Sequence, residues 1–305
     1  MGVNLKVKAD KLKLNSPIVM VSGTFGYGTE KFDFIDYKKI GAITTKTITY
    51  EKWKGNPQPR IAEIPNGMIN SIGLQNPGVN YFCEKIYPSL ERLRKKGIKI
   101  FVSITDRTLE NMIKIVEKIN TIKIDAIELN LSCPNFEREK KMISQSPEKA
   151  FSVVKEIKKV SKFPVISKIS PNVTDIVEIA CAVEEGGTDI LSLINTVKGI
   201  VFDWKRKKII EGGISGQCIK PIGLYCVYSV YKKIHIPIIG IGGITNGKDA
   251  IEYILLGANA IGVGSGFFAN PDIIEDIFYS LSSYLEENKI ECLNEITGLL
   301  NEKEN

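Results

Sequence analysis

Eight short, almost wholly apolar runs recur along the chain, separated by stretches whose apolar residues repeat every three or four positions. The runs fall at residues 18–21, 42–45, 100–104, 126–131, 165–169, 190–194, 236–241 and 260–263. They are continuous rather than alternating, so each must be buried on both faces, the condition of a strand in a parallel sheet covered by helices. The intervening periodicity predicts amphipathic helices over 111–119, 147–160, 176–185, 223–233 and 248–256, among others. Strand and helix alternating in this way specify an α/β fold, a (β/α)8 TIM barrel. The 305 residues exceed the about 250 that such a barrel needs, and 1–305 is expected to be a single domain. Ahead of the first run, 3–7 and 11–14 flank Ala9-Asp10 as a short hairpin suited to capping the bottom of the barrel.

Three connections, 47–79, 132–146 and 197–217, are too long for ordinary turns and read as functional loops without secondary structure. They follow the second, fourth and sixth runs, so they rise from the C-terminal face, where barrels place their chemistry. The residues ending the eight runs are polar or glycine: Ser22-Gly23-Thr24, Lys46-Thr47, Ser103, Asn130 to Asn135, Lys168, Asn195-Thr196, Gly242-Gly243 and Gly264-Ser265. Glycines at the last two ends let backbone N–H groups approach a phosphate, which points to a phosphorylated ligand or cofactor. Lysines at two ends, Lys46 and Lys168, must meet negative charge or lose their own; a Schiff base and a large anionic cofactor both satisfy that. Cys133, in the loop after the fourth run, places a thiol where amides and lysines could support it as a general base. The amide-rich stretch from Asn66 to Gly78 offers donors and acceptors suited to a planar ring bearing carbonyls and N–H groups.

Other classes are disfavoured. Lys and Arg number 41 against 35 Asp and Glu, a net charge of +6 dispersed over helix faces, with one denser cluster, Lys205 to Lys208, read as a solvated loop tip. No apolar run reaches the ~18 residues of a membrane span and the first residues lack a secretory signal, so a cytoplasmic protein is expected. The other five cysteines, Cys83, Cys181, Cys218, Cys226 and Cys292, form no C-x-x-C pair; they read as packing residues, with no metal or iron–sulfur site. The single histidine, His235, precedes the seventh run, so any histidine-dependent triad would depend on it alone.

Together the motifs Ser22-Gly23-Thr24-Phe25-Gly26-Tyr27-Gly28, Lys46-Thr47, Gly55-Asn56-Pro57 through Arg60 to Asn70-Ser71-Ile72-Gly73-Leu74-Gln75-Asn76-Pro77-Gly78, Asn130-Leu131-Ser132-Cys133-Pro134-Asn135, Asn195-Thr196, Gly212-Gly213-Ile214-Ser215-Gly216 and Gly240-Ile241-Gly242-Gly243-Ile244 resemble class 1 dihydroorotate dehydrogenases. The loop after the second run is more similar to the NAD-linked class 1B branch than to fumarate-using class 1A, which remains the alternative, beside a related flavin barrel acting on another pyrimidine. The resemblance implies an FMN enzyme oxidising (S)-dihydroorotate to orotate, with Cys133 taking the C5 proton. FMN-binding positions are matched by Ser22, Lys46, Thr47, Asn130, Lys168, Ile194, Gly216, Gly242, Gly243, Gly264 and Ser265. Substrate positions are matched by Lys46, Asn70, Ser71, Ile72, Gly73, Leu74, Asn130, Asn195 and Thr196. Ser103 stands near the flavin where that family usually carries asparagine.

The resemblance also implies a homodimer joined to a second subunit carrying FAD and a 2Fe-2S cluster, giving a heterotetramer, with no nucleic-acid or membrane partner. Two rivals are a barrel reducing tRNA uridines, which needs a basic face and an RNA-binding domain, and a non-redox barrel using Lys46 or Lys168 as a Schiff base.

Overall fold

The apolar runs close on one another. In the computed structural model, which describes residues 3–9, 12–30, 32–132, 142–205 and 207–301, eight strands form a barrel in the order β3 (Ile18–Met20), β4 (Ala42–Thr44), β7 (Lys99–Ile104), β8 (Ala126–Asn130), β9 (Val165–Lys168), β10 (Ile190–Leu193), β13 (Ile238–Ile241) and β14 (Ala260–Val263). Every pair is parallel, and β14 returns to β3 through Ile261↔Ile18. These strands are buried along almost their whole length, which is why they lack alternation.

Helices between the strands start where side chains cap them. Thr108 accepts from Asn111 N at α3 (Leu109–Ile119), Ser146 from Lys149 N at α4 (Pro147–Val160), Asp175 from Val177 N at α5 (Ile176–Glu185) and Asn246 from Asp249 N at α7 (Gly247–Leu255). Helices α4 and α5 keep the expected bounds, and α6 (Lys220–Tyr231) begins earlier than expected because Pro221 is tolerated in a first turn. Two helices outside that set complete the shell: α1 (Val79–Tyr81), running through a π turn at Phe82–Ile86 into α2 (Tyr87–Lys95), and α9 (Ile273–Glu287) after the short α8 (Gly266–Ala269).

The capping hairpin is β1 (Val7–Ala9) paired antiparallel with β2 (Leu12–Leu14). Its Val7, Ala9, Leu12 and Leu14 are buried while Lys8 and Lys13 face out. It lies at the N-terminal end of β4, where a side chain at Gly41 would strike the Ser16 carbonyl at 2.0 Å and approach Leu14 Cβ at 3.2 Å.

Two of the three long connections are not structureless. From 47–79 come β5 (Ile61–Ile64) and β6 (Gly67–Asn70); from 197–217 come β11 (Val197–Asp203) and β12 (Lys208–Ser215). These four form a second, antiparallel sheet in the order β11-β12-β6-β5. Periodicity missed it because only its inner face is packed: Ile69 is buried and Ile214 opposite it half-buried, while Ile61, Ile200, Phe202 and Ile209 are exposed. The third connection holds a single turn at Ile143–Gln145, and its residues 133–141 lie outside those described.

The Lys205 to Lys208 cluster is the tip joining β11 to β12, with Lys205, Lys207 and Lys208 exposed as expected and Arg206 outside the described residues. No helix among the described residues is long and apolar enough to cross a membrane.

Candidate active site

The strand ends converge as the barrel requires. Thr47, just past β4, sits 2.9 Å by its hydroxyl from that of Ser103 on β7, and Asn130 at the end of β8 points its Nδ2 at Thr47 Oγ1 at 3.5 Å. The Asn130 Oδ1 accepts from Ser132 Oγ at 2.6 Å and from Asn195 Nδ2 at 3.4 Å, and Asn195 Nδ2 also donates to Ser132 Oγ. Asn195 in turn accepts from Thr196 N at 2.8 Å. One polar chain therefore links four strand ends, from Thr47 to Thr196.

The second sheet supplies the facing wall. Asn70, the last residue of β6, donates to the Gly213 carbonyl at 3.3 Å. A side chain at Gly213 would meet Thr196 Oγ1 at 2.1 Å, and one at Gly212 would meet the Asn70 carbonyl at 2.1 Å, so this glycine pair admits the Thr196 side chain and the Asn70 backbone close against β12. Beyond Asn70, the half-buried Ser71, Ile72, Gly73 and Leu74 continue as a strap, held where Asn56 Nδ2 donates to the Ser71 carbonyl and hydroxyl, both at 3.0 Å.

Cations gather at the same mouth. Lys46 is half-buried; burial, with the nearby Arg60 guanidinium, pulls its ammonium below the usual lysine range. Arg60 is held by Gln75 Oε1 at 2.6 Å and the Asn56 carbonyl at 3.3 Å. Lys168, ending β9 between Asn130 and Ser192 in register, is only 5% exposed, and among the described residues no hydrogen bond or ion pair reaches its ammonium. An ammonium that no described protein group engages leaves a place for an anionic group.

At the opposite rim, Ile194 is buried and bonded through its N–H to the Ile241 carbonyl at 3.0 Å. The half-buried Ser22 follows β3, and Gly216, with φ 106°, lies where a side chain would strike Gly67 Cα at 2.5 Å. Gly242 and Gly243 take φ of 130° and 68° at the end of β13. Among the described residues, the N–H groups of Gly243, Gly264 and Ser265 donate to no protein acceptor. Open donors at the ends of the paired strands β13 and β14 are suited to an anion.

Some expectations are corrected. Cys181 and Cys218 are exposed rather than packed, because one lies on the outer face of α5 and the other on the rim turn after Gly216; Cys226 is buried, Cys83 and Cys292 half-buried. His235 lies at the entrance to β13, away from the C-terminal face, with an exposed ring 3.7 Å from Glu184, so it serves no triad. Cys133 lies outside the described residues. Sequence reasoning passed over Asn172, which donates to the Thr196 carbonyl at 2.9 Å and accepts from Lys198 N at 2.8 Å, since a lone asparagine in a turn carries no signal of its own.

Residues 4–285 match the family model described as dihydroorotate dehydrogenase. The chain belongs to the dihydroorotate dehydrogenase family. Similar proteins named dihydroorotate dehydrogenase B (NAD(+)), catalytic subunit, occur in Alkaliphilus metalliredigens (45% identical, covering 98% of this chain and 99% of that one) and Bacteroides thetaiotaomicron (44%; 97% and 99%). A third, from Caldicellulosiruptor saccharolyticus, is 41% identical and covers 98% of this chain and 100% of its own. Membership of the dihydroorotate dehydrogenase family disposes of the RNA-reducing and Schiff-base alternatives, and the names of these relatives carry NAD rather than fumarate.

The family implies FMN, and the residues present fit it. Among the described residues, the N–H groups of Gly243, Gly264 and Ser265 are open and match a terminal phosphate, the largely buried Lys168 has no partner at its ammonium and matches the anionic side of a flavin ring, and Asn130 and Asn195 are bonded to each other across the neighbouring strand ends.

Proposed function

We propose that this chain is the catalytic subunit of an NAD-linked dihydroorotate dehydrogenase, oxidising (S)-dihydroorotate to orotate, with residues 1–305 acting as one FMN-binding domain. The observation that carries the reading is Lys168, largely buried at the end of β9 beside Asn130, with no hydrogen bond or ion pair at its ammonium among the described residues. When bound, FMN supplies the acceptor for the hydride leaving C6 of the substrate. Ser22, Lys46, Thr47, Ser103, Asn130, Lys168, Ile194, Gly216, Gly242, Gly243, Gly264 and Ser265 form its site in this proposal.

Asn70, Asn130, Asn195 and Thr196 would read the carbonyls and N–H groups of the pyrimidine ring, with Lys46 meeting its carboxylate and Ser71, Ile72, Gly73 and Leu74 closing over it. Cys133 would take the C5 proton as its thiolate, since the carbon acid next to a ring carbonyl needs a base at that face. The electrons then leave through a partner subunit carrying FAD and a 2Fe-2S cluster, in a cytoplasmic assembly of two such pairs. The names of the relatives, each a catalytic subunit, support a partner.

The deciding experiment is the anaerobic visible spectrum of the FMN-loaded chain before and after dihydroorotate is added. Bleaching of the flavin bands is expected, with NAD turnover appearing only once the partner subunit is supplied. A flavin that stays oxidised discards the substrate, and a chain that binds no flavin discards the cofactor.

A further inference from the structure

The loop Gly242 to Thr245 carries the open Gly243 N–H, and its shape is fixed from behind by side chains on helix α7 that cannot reach the ligand pocket themselves. Tyr253, wholly buried, donates its hydroxyl to the Gly242 carbonyl at 2.6 Å and lies 3.4 Å from the Ile241 carbonyl. Burial pushes that hydroxyl well above its ordinary range, so it stays a donor. One turn earlier on the same face, Asp249 accepts from both the N–H and the hydroxyl of Thr245, each at 2.8 Å. The two side chains thus hold opposite ends of the loop.

Two further contacts show that the arrangement is built. Gly223 on α6 leaves room for the phenol, since a side chain there would meet Tyr253 Oη at 1.9 Å. Lys220, whose backbone presses so closely on Gly243 that a Cβ there would meet its N at 2.6 Å, sends its ammonium to Asp249 at 2.7 Å and Glu252 at 2.9 Å. The segment is therefore pinned at Gly242 and Thr245 by two side chains from α7 and crowded at Gly243 by the first residue of α6.

We infer that Tyr253 and Asp249 are positioning residues for the cofactor phosphate: by holding the Gly242 carbonyl and Thr245 from behind, they turn the Gly243 N–H into the cradle it shares with Gly264 and Ser265. The inference rests on the flavin reading proposed above. A preorganised donor loses nothing to reorientation when the anion binds, whereas a loop freed at one end must be ordered by the ligand.

Riboflavin, which has the ring and ribityl chain of FMN but no phosphate, separates this role from a general contribution to the fold. Flavin-stripped protein is titrated with FMN and with riboflavin by quenching of flavin fluorescence, for the unaltered chain and for Tyr253→Phe. The variant is expected to bind FMN about five- to tenfold more weakly, the scale of one lost hydrogen bond, and riboflavin within about twofold of the unaltered chain. Equal weakening of both ligands, or of neither, overturns the inference. Should Tyr253→Phe fail to fold, Thr245→Val, which removes one of the two bonds to Asp249 at a half-buried site, gives the same comparison with the same two outcomes. If the unaltered chain binds neither flavin, the failure belongs to the cofactor assignment and the inference falls with it.

Discussion

Asn195 and Asn130, 65 residues apart in sequence, meet amide to carbonyl at 3.4 Å, with Ser132 bonded to both. They end β10 and β8, so their bridge passes over β9 and the end that carries Lys168. Orientation of each amide depends on the other. Replacing either by alanine is expected to lower kcat/KM for dihydroorotate by about tenfold or more, and the double variant to lose much less than the product, because the second change acts on an amide already free to turn. Multiplicative losses in a double-mutant cycle would show that the two act independently.

Cys133→Ser should retain FMN, as judged by its absorbance after gel filtration, while flavin reduction by dihydroorotate slows by about 10²- to 10⁴-fold near neutral pH. Part of the rate is expected to return in alkali, because a hydroxyl is a far weaker acid than a thiol and yields its basic form only at higher pH. A reduction rate equal to that of the unaltered chain takes Cys133 out of the reaction.

Lys168→Met keeps most of the apolar stem and removes the charge. In flavin-free protein it should leave the urea midpoint unchanged or raised, since no described group pairs with the charge that is removed. Flavin affinity should fall at least about tenfold in the same variant. A midpoint that drops would mean that Lys168 supports the empty barrel rather than awaiting an anion.

Lys46 carries a pH signature of the opposite face of the site. Its folded-state value lies below the ordinary lysine range through burial and the neighbouring Arg60, so in the window between that lowered value and about 10.4 the unfolded chain binds more protons than the native one. Stability contributed at this position therefore rises with pH across the window and is at its poorest below it. Flavin-free Lys46→Gln should be more stable than the unaltered chain at about pH 7, with the gap narrowing toward about pH 10, as read by urea unfolding at both values. A gap that widens with pH contradicts the assignment.

Thiol accessibility offers an independent check on the fold. At about pH 8 an aromatic disulfide reagent should modify Cys218 and Cys181 first, while Cys226 and Cys83, whose thiols burial raises to about 11, react only on unfolding. Peptide mapping of the early adducts distinguishes these sites from Cys133. Rapid labelling of Cys226 would place α6 differently against the barrel.

The barrel was legible in the chain because its eight strands must be apolar on both faces and its helices on one, and those periods are local properties of sequence. Caps are local too: Ser146-Pro147 and Asp175 mark the starts of α4 and α5 at the positions expected. The polar and glycine residues at strand ends could be placed on one face because strand direction in a barrel is fixed once the order is known.

Long-range packing decided the rest. The sheet β11-β12-β6-β5 pairs Gly213 with Asn70 across 143 residues and exposes much of one face, so no window of the sequence carries its period. Asn172, Asp249 and Tyr253 look like ordinary turn and helix residues until barrel closure brings Thr196, Thr245 and Gly242 against them. Whether the Lys168 ammonium is paired is likewise a property of what surrounds it: closure of the eight strands buries the residue, and no group among the described residues bonds to its ammonium. Sequence determined which chemical groups reach the mouth of the barrel; tertiary structure determined which of them hold one another and which are left open to a ligand, because hydrogen bonds between strand ends form only once the strands are in register.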